Sequence, residues 1–169
     1  MKLVTTILIL CTVLLGCKKD KSSRVLGGAL TDCPANCTCT YNYYDNADFT
    51  STSPPAAGNF RVFVYKSISA NSCGPRSEIY FKTNLSNNEF EINAGQIAAG
   101  EIVAYYDACP CCEYANFAPF PKPIGGAIKA QRTGATRWLV NASIIFGTAN
   151  NTPIDTMVVN QYFVLKGLP

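Results

Sequence analysis

The sequence predicts an all-β fold: an antiparallel β-sandwich of seven or eight strands, immunoglobulin-like or related in topology. Three observations carry this. Short β-branched and aromatic runs alternate with a period of two. Clusters of Gly, Asn, Pro and Ser separate those runs. Helical periodicity is nearly absent, with one turn's worth at Ile97–Gly100. A lipocalin-like barrel fits the same pattern and is the alternative.

Thr38–Tyr44 is the first predicted strand. In Phe60–Lys66, Phe60, Val62 and Val64 point to one side, and Arg61, Phe63 and Tyr65 to the other. Both sides are largely apolar, the pattern of a central strand. Glu78–Thr83 and Glu89–Asn93 flank Ser86-Asn87-Asn88, which predicts a hairpin with Phe90 and Ile92 inward and Glu89 and Glu91 in water. Glu101–Asp107 and Ala127–Arg132 follow, then a turn at Thr133-Gly134-Ala135. In Thr136–Phe146 the alternation is clearest: Trp138, Val140, Ala142, Ile144 and Phe146 share a face opposite Arg137, Asn141 and Ser143. After a turn cluster at Thr148–Pro153, Thr156–Lys166 closes the chain with Val159, Phe163 and Leu165 on one face.

Composition removes several function classes. The chain has 169 residues and no histidine, so Ser-His-Asp and Cys-His nucleophile systems and His-containing metal sites are excluded. Charged residues are 15% and apolar residues 48%, unlike a disordered chain. The formal charge of +3 comes from the N-terminal region, where Lys2, Lys18, Lys19, Lys21 and Arg24 lie. From Val25 onward nine basic residues face ten acidic ones, which gives no electrostatic case for nucleic acid. No glycine-rich phosphate loop or nucleophile elbow is present.

The N-terminus reads as an export address. Lys2 precedes an apolar run from Leu3 to Leu15, about 20 Å of helix and short of the ~30 Å hydrocarbon core of a bilayer. The run ends in Leu14-Leu15-Gly16-Cys17, which resembles the lipobox of bacterial lipoproteins. That resemblance covers about the first twenty residues. It implies cleavage before Cys17, a diacylglycerol on its thiol and an acylated amine. Several acyl chains anchor durably, since each buried methylene contributes ~0.8 kcal/mol. Lys18-Lys19-Asp20-Lys21 is similar to the charged patch behind the lipid Cys in surface lipoproteins of the Bacteroidota, though with only one acid. The resulting organisation is a signal peptide over 1–16, a lipidated Cys and flexible tether over 17–31, and a single β-domain over 32–169.

Of nine cysteines, Cys11 leaves with the signal peptide and Cys17 takes the lipid. Seven remain: Cys33, Cys37 and Cys39 in CPANCTC, Cys73, and Cys109, Cys111 and Cys112 in CPCC. An exported chain meets an oxidising compartment, so structural disulfides are the leading reading, at most three bridges with one thiol over. Thiolate metal binding lacks paired CxxC spacing. A redox CxxC within CPCC lacks the following helix that depresses a thioredoxin-type thiol pKa.

Residues 113–126 form a Pro- and aromatic-rich stretch in which Tyr114, Phe117 and Phe120 recur every three residues. That spacing places rings on one side of an extended segment, a platform for a sugar or a partner protein. Tyr41, Tyr43 and Tyr44 pose the same question more weakly. Glu89 and Glu91 read as a solvated face rather than a glycosidase pair. Asp45-Asn46-Ala47-Asp48 reads as a turn, lacking the ligand alternation of a calcium loop.

The expected function is therefore a non-enzymatic binding or structural module, lipid-anchored in the outer membrane on its periplasmic or external side. It needs no cofactor beyond the covalent lipid. Its expected partners are the membrane and a protein or glycan. An exported thiol-redox or metal-handling protein, and a glycan-binding module, are the alternatives.

Overall fold

The computed structural model describes residues 26–50, 55–71, 76–108 and 121–168. They form β1 (Cys37–Asp48), β2 (Ala56–Ala57), β3 (Phe60–Ser69), β4 (Arg76–Asn84), β5 (Glu89–Ile92), α1 (Ala94–Ala99), β6 (Val103–Ala108), β7 (Lys122–Gly134), β8 (Arg137–Gly147) and β9 (Pro153–Leu165). The fold is all-β, and among the described residues there is one short helix. Among the described residues no helix is long and apolar enough to cross a membrane.

Two strands run well beyond their alternating cores, each through a local irregularity. β1 continues to Asp48 through a register shift between Tyr44 and Ala47, where Asn46 adopts φ 53°. The predicted turn at Asp45–Asp48 is thus a bulge inside a strand, and asparagine tolerates its left-handed backbone. β7 begins at Lys122 and passes through Gly125-Gly126, which have no side chains to show a pattern. Gly126 has φ 115°, and a Cβ there would lie 2.0 Å from the Ser143 carbonyl oxygen, so only glycine fits.

The strands form one nine-stranded sheet, ordered β5-β7-β8-β9-β1-β3-β4-β6, with β2 beside β1. Its pairs are antiparallel except β1–β9, which runs parallel at Asn42↔Val164 and Tyr43↔Leu165. The predicted hairpin at Ser86-Asn87-Asn88 does not form. β4 lies between β3 and β6, while β5 pairs with β7 at the far edge of the sheet. With both sides of β4 occupied, the chain must leave for another neighbour. Other strands hold this connection: the Asn87 carbonyl accepts from Arg61 Nη1 at 3.1 Å, and the Asn88 carbonyl from the Arg132 amide at 2.8 Å.

Ring contacts show that the sheet curls around one core. Phe63 of β3 meets Phe90 of β5 at 5.4 Å, Trp138 of β8 at 5.4 Å and Phe163 of β9 at 5.8 Å. Tyr105 of β6 reaches Phe146 of β8 at 4.4 Å. The face predicted for Trp138 through Phe146 is buried throughout, as are Val159 and Phe163, whereas Leu165 is 43% exposed where β9 ends. The edge strands β5 and β6 are joined by α1, whose Ile97 is fully buried. Asn93 and Gln96 form a capping box at its start, and Gly100 ends it at φ 74°. A second cluster of Tyr44, Ala47, Phe49, Val62, Val64 and Tyr80 packs on the outer face, so β3 is apolar on both sides.

Candidate functional site

Strand register sorts the inward-facing residues into rows that change in chemistry along the strands. Tyr43 pairs with Phe63 and Phe63 with Phe81, giving an aromatic row. Two residues along, Tyr41 pairs with Tyr65 and Tyr65 with Ile79. The next row is Cys39, Ser67 and Ser77. The interior thus passes from hydrocarbon to phenol to hydroxyl and sulfur, and at the polar end it opens.

A cleft of about 310 Å³ occupies that opening. Tyr41, Tyr65, Ser67 and Ser77 form one wall. β9 forms the other through Asp155 to Val159, and Thr31, Asp32 and Pro34 complete the rim. Tyr65, Met157 and Val159 also bound the apolar centre below, where the residual space is only about 10 Å³. The core is therefore filled, and usable room lies at the mouth.

Two devices hold the rim in place. A disulfide joins Cys33 to Cys39 with its Cα atoms 5.7 Å apart, tying the N-terminal segment to β1. The Cys39 sulfur lies 3.8 Å from the Tyr65 hydroxyl, so the bridge borders the cleft. The segment before it is strapped to β9: the Thr31 amide donates to the Asn160 carbonyl at 3.0 Å, the Asn160 amide to Thr31 Oγ1 at 3.0 Å, and Asn160 Nδ2 to the Ala29 carbonyl at 2.8 Å. The end of the predicted tether, at Ala29 and Thr31, is thus hydrogen-bonded to the domain.

Tyr41 and Tyr65 stack with ring centroids 5.3 Å apart and planes at 27°. Burial raises both phenol pKa values above 10.0, with Asp32 adding to the effect at Tyr41 and the Ser67 hydrogen bond opposing it at Tyr65. Both remain neutral at physiological pH. Among the described residues Asp32 and Asp155 are the charged groups lining the cleft, and no lysine or arginine lines it. Asp155 Oδ1 accepts from the Thr156 amide at 2.7 Å.

Other carboxylates are engaged elsewhere. Asp45 pairs with Arg61, Asp48 with Lys82 and Glu91 with Lys129. Glu78 is buried against Lys66, Arg76 and the Tyr80 hydroxyl. Glu89 and Glu91 are solvent-facing, as expected for a strand edge. Among the described residues no group of three or more His, Cys, Asp or Glu could hold a metal ion. Cys37 carries a free thiol. Cys17, Cys73, Cys109, Cys111 and Cys112, and the aromatic candidates Tyr114, Phe117 and Phe120, lie outside the described residues.

Compared with family models, curated proteins and solved structures, the chain finds no match. The cleft itself was only partly visible in the sequence. Tyr41 belongs to the aromatic run Tyr41, Tyr43 and Tyr44, whereas Tyr65, Ser67 and Ser77 carry no site signal of their own. The available signal was Phe63-Tyr65-Ser67, where the inward positions of a core strand become steadily more polar.

Proposed function

We propose that this chain is a lipid-anchored cell-envelope protein that works as a non-enzymatic binding module, stapled by disulfides, with the mouth cleft as its binding site. The observation that carries the reading is the filled core beneath an open, hydroxyl-lined end of about 310 Å³. Ligand sites favour such concave, pre-formed places with a few convergent polar groups. The Cys33–Cys39 bridge and the strap at Asn160 fit a rigid scaffold, because both fix the rim before a ligand arrives. The lipobox-like Leu14-Leu15-Gly16-Cys17 supports the anchor, at the outer membrane facing either the periplasm or the exterior.

One observation favours a second reading, an exported thiol-redox or metal-handling protein: the free Cys37 lies on the same strand as the bridged Cys39. Intact mass of the full chain, expressed in a bacterial envelope and purified in detergent, separates the two. It is taken natively, then after unfolding in a thiol-blocking reagent without reductant. Acyl mass on the peptide beginning at Cys17, one blocked thiol and no bound metal uphold the anchored scaffold. A chain beginning elsewhere removes the anchor. Two or more blocked thiols, or a metal-sized increment, move the function to the cysteines.

A further inference from the structure

We infer that the mouth cleft binds a small organic cation, an amine or quaternary ammonium; this rests on the binding-module reading and names its ligand class. The argument begins with charge. Asp32 and Asp155, both exposed, line the cleft, and among the described residues no basic side chain lines it with them. Among the described residues neither carboxylate forms a salt bridge, although Asp45, Asp48, Glu78 and Glu91 all do. A concave site with low-dielectric walls and one sign of charge focuses its field and concentrates counter-ions. Here that field is negative, which opposes carboxylate and phosphate ligands.

The second part is aromatic. Tyr41 and Tyr65 line the same cleft as Asp155, and burial holds both as neutral phenols. A neutral phenol ring attracts a cation through its quadrupole, most strongly for a partly desolvated alkylammonium. Met157 and Val159 supply an apolar floor for the methylene or methyl groups of such a ligand. Ser67 and Ser77 add polar side chains to the lining. The volume, about 310 Å³, is at the small end for ligand pockets. A neutral sugar would use the rings and hydroxyls equally well but would leave both carboxylates without a charge partner.

Matched pairs of probes test this by calorimetry on the full-length lipoprotein in non-ionic detergent. Choline is compared with 3,3-dimethylbutan-1-ol, its neutral isostere, and glucosamine with glucose. The expected result is that the charged member of at least one pair binds about tenfold more tightly. Asp155→Asn should then weaken that cation about fivefold and leave its neutral isostere unchanged, with the melting temperature retained. Tyr65→Phe, which keeps the ring, should preserve most of the affinity. Equal or tighter binding of the neutral member overturns the cation assignment while leaving the cleft a binding site. Cation binding insensitive to both Asp155→Asn and Asp32→Asn also overturns it. Absence of heat from all four probes overturns the inference, and the mass measurement still judges the anchored-scaffold reading independently.

Discussion

Arg61 stacks on Trp138 at the end of the core opposite the cleft, with its guanidinium carbon 4.8 Å from the indole centroid. The side chain is buried and solvated by the protein instead of water. Asp45 accepts from Nε at 2.5 Å and from Nη2 at 3.2 Å, and the Asn87 carbonyl accepts from Nη1 at 3.1 Å. Arginine suits this position because its plane stacks on rings while its fork binds a carboxylate. Asp45→Ala should destabilise the fold by about 2 kcal/mol, less than a fully buried pair would lose, since Asp45 is 34% exposed. In an Arg61→Met background the same substitution should cost under about 0.5 kcal/mol. Urea midpoints of the two single variants and the double variant give the comparison.

Two glycines with positive φ should respond differently to alanine. At Gly100 nothing lies within 4 Å of an added Cβ, so Gly100→Ala meets only the left-handed backbone penalty, about 1 kcal/mol. At Gly126 the Cβ would meet the Ser143 carbonyl oxygen at 2.0 Å. Gly126→Ala should therefore cost at least about 3 kcal/mol, because a backbone group cannot move aside as a side chain can. Thermal unfolding of both variants would rank them, and equal losses would contradict the close β7–β8 approach.

Acid should weaken the fold partly through Glu78. Burial pushes its pKa up, but hydrogen bonds from Tyr80, Lys66 and Arg76 outweigh that and hold it below 4.5. A carboxyl with a folded pKa below its unfolded one stabilises the fold above the unfolded value, and that contribution disappears as pH falls through the folded value. Stability should thus drop as pH falls below about 4.5, with a shallower slope in Glu78→Gln. Chemical denaturation at a series of acidic pH values measures both slopes. Glu78→Gln should also be less stable at pH 7, since Lys66 and Arg76 lose their anionic partner.

Alkali acts through the tyrosines. Burial is the leading cause that raises Tyr41, Tyr43, Tyr44, Tyr65 and Tyr80 above 10.0. Their protonated forms are favoured in the folded state, so stability is intact below the unfolded pKa and is lost as pH rises beyond it. Tyrosinate absorbance should rise for these residues together with unfolding, not ahead of it. A smooth titration preceding loss of circular dichroism would show the rings to be solvent-accessible.

Alternation made most of the strands legible, and β8 is the clearest example. Trp138, Val140, Ala142, Ile144 and Phe146 can share a face only in extended chain, and all five are buried. β3 was readable as a central strand for the same reason. The bulge at Asn46 and the first part of β7, from Lys122 through Gly125-Gly126, were not, since a left-handed residue and two missing side chains interrupt the period. At the cleft, Tyr41 is legible as an aromatic, whereas Ser67 resembles an ordinary strand-end residue until the strands converge.

What the sequence determined by itself was local: extended chain over most strands, the inward faces of β3 and β8, the connection between β7 and β8, and an N-terminal motif read directly as residues. Neighbour choice belonged to the tertiary structure. Ser86-Asn87-Asn88 reverses the chain as a hairpin loop would, yet β5 joins β7 because β4 is already paired on both sides. The parallel β1–β9 contact joins segments far apart in the chain, and no local preference encodes it. That contact and the curl of the sheet bring Asp155 and Met157 into one cleft with Tyr41 and Tyr65. Side-chain period is a property of each strand alone, whereas pairing minimises the free energy of the whole core, so the cleft exists only once the sheet has curled.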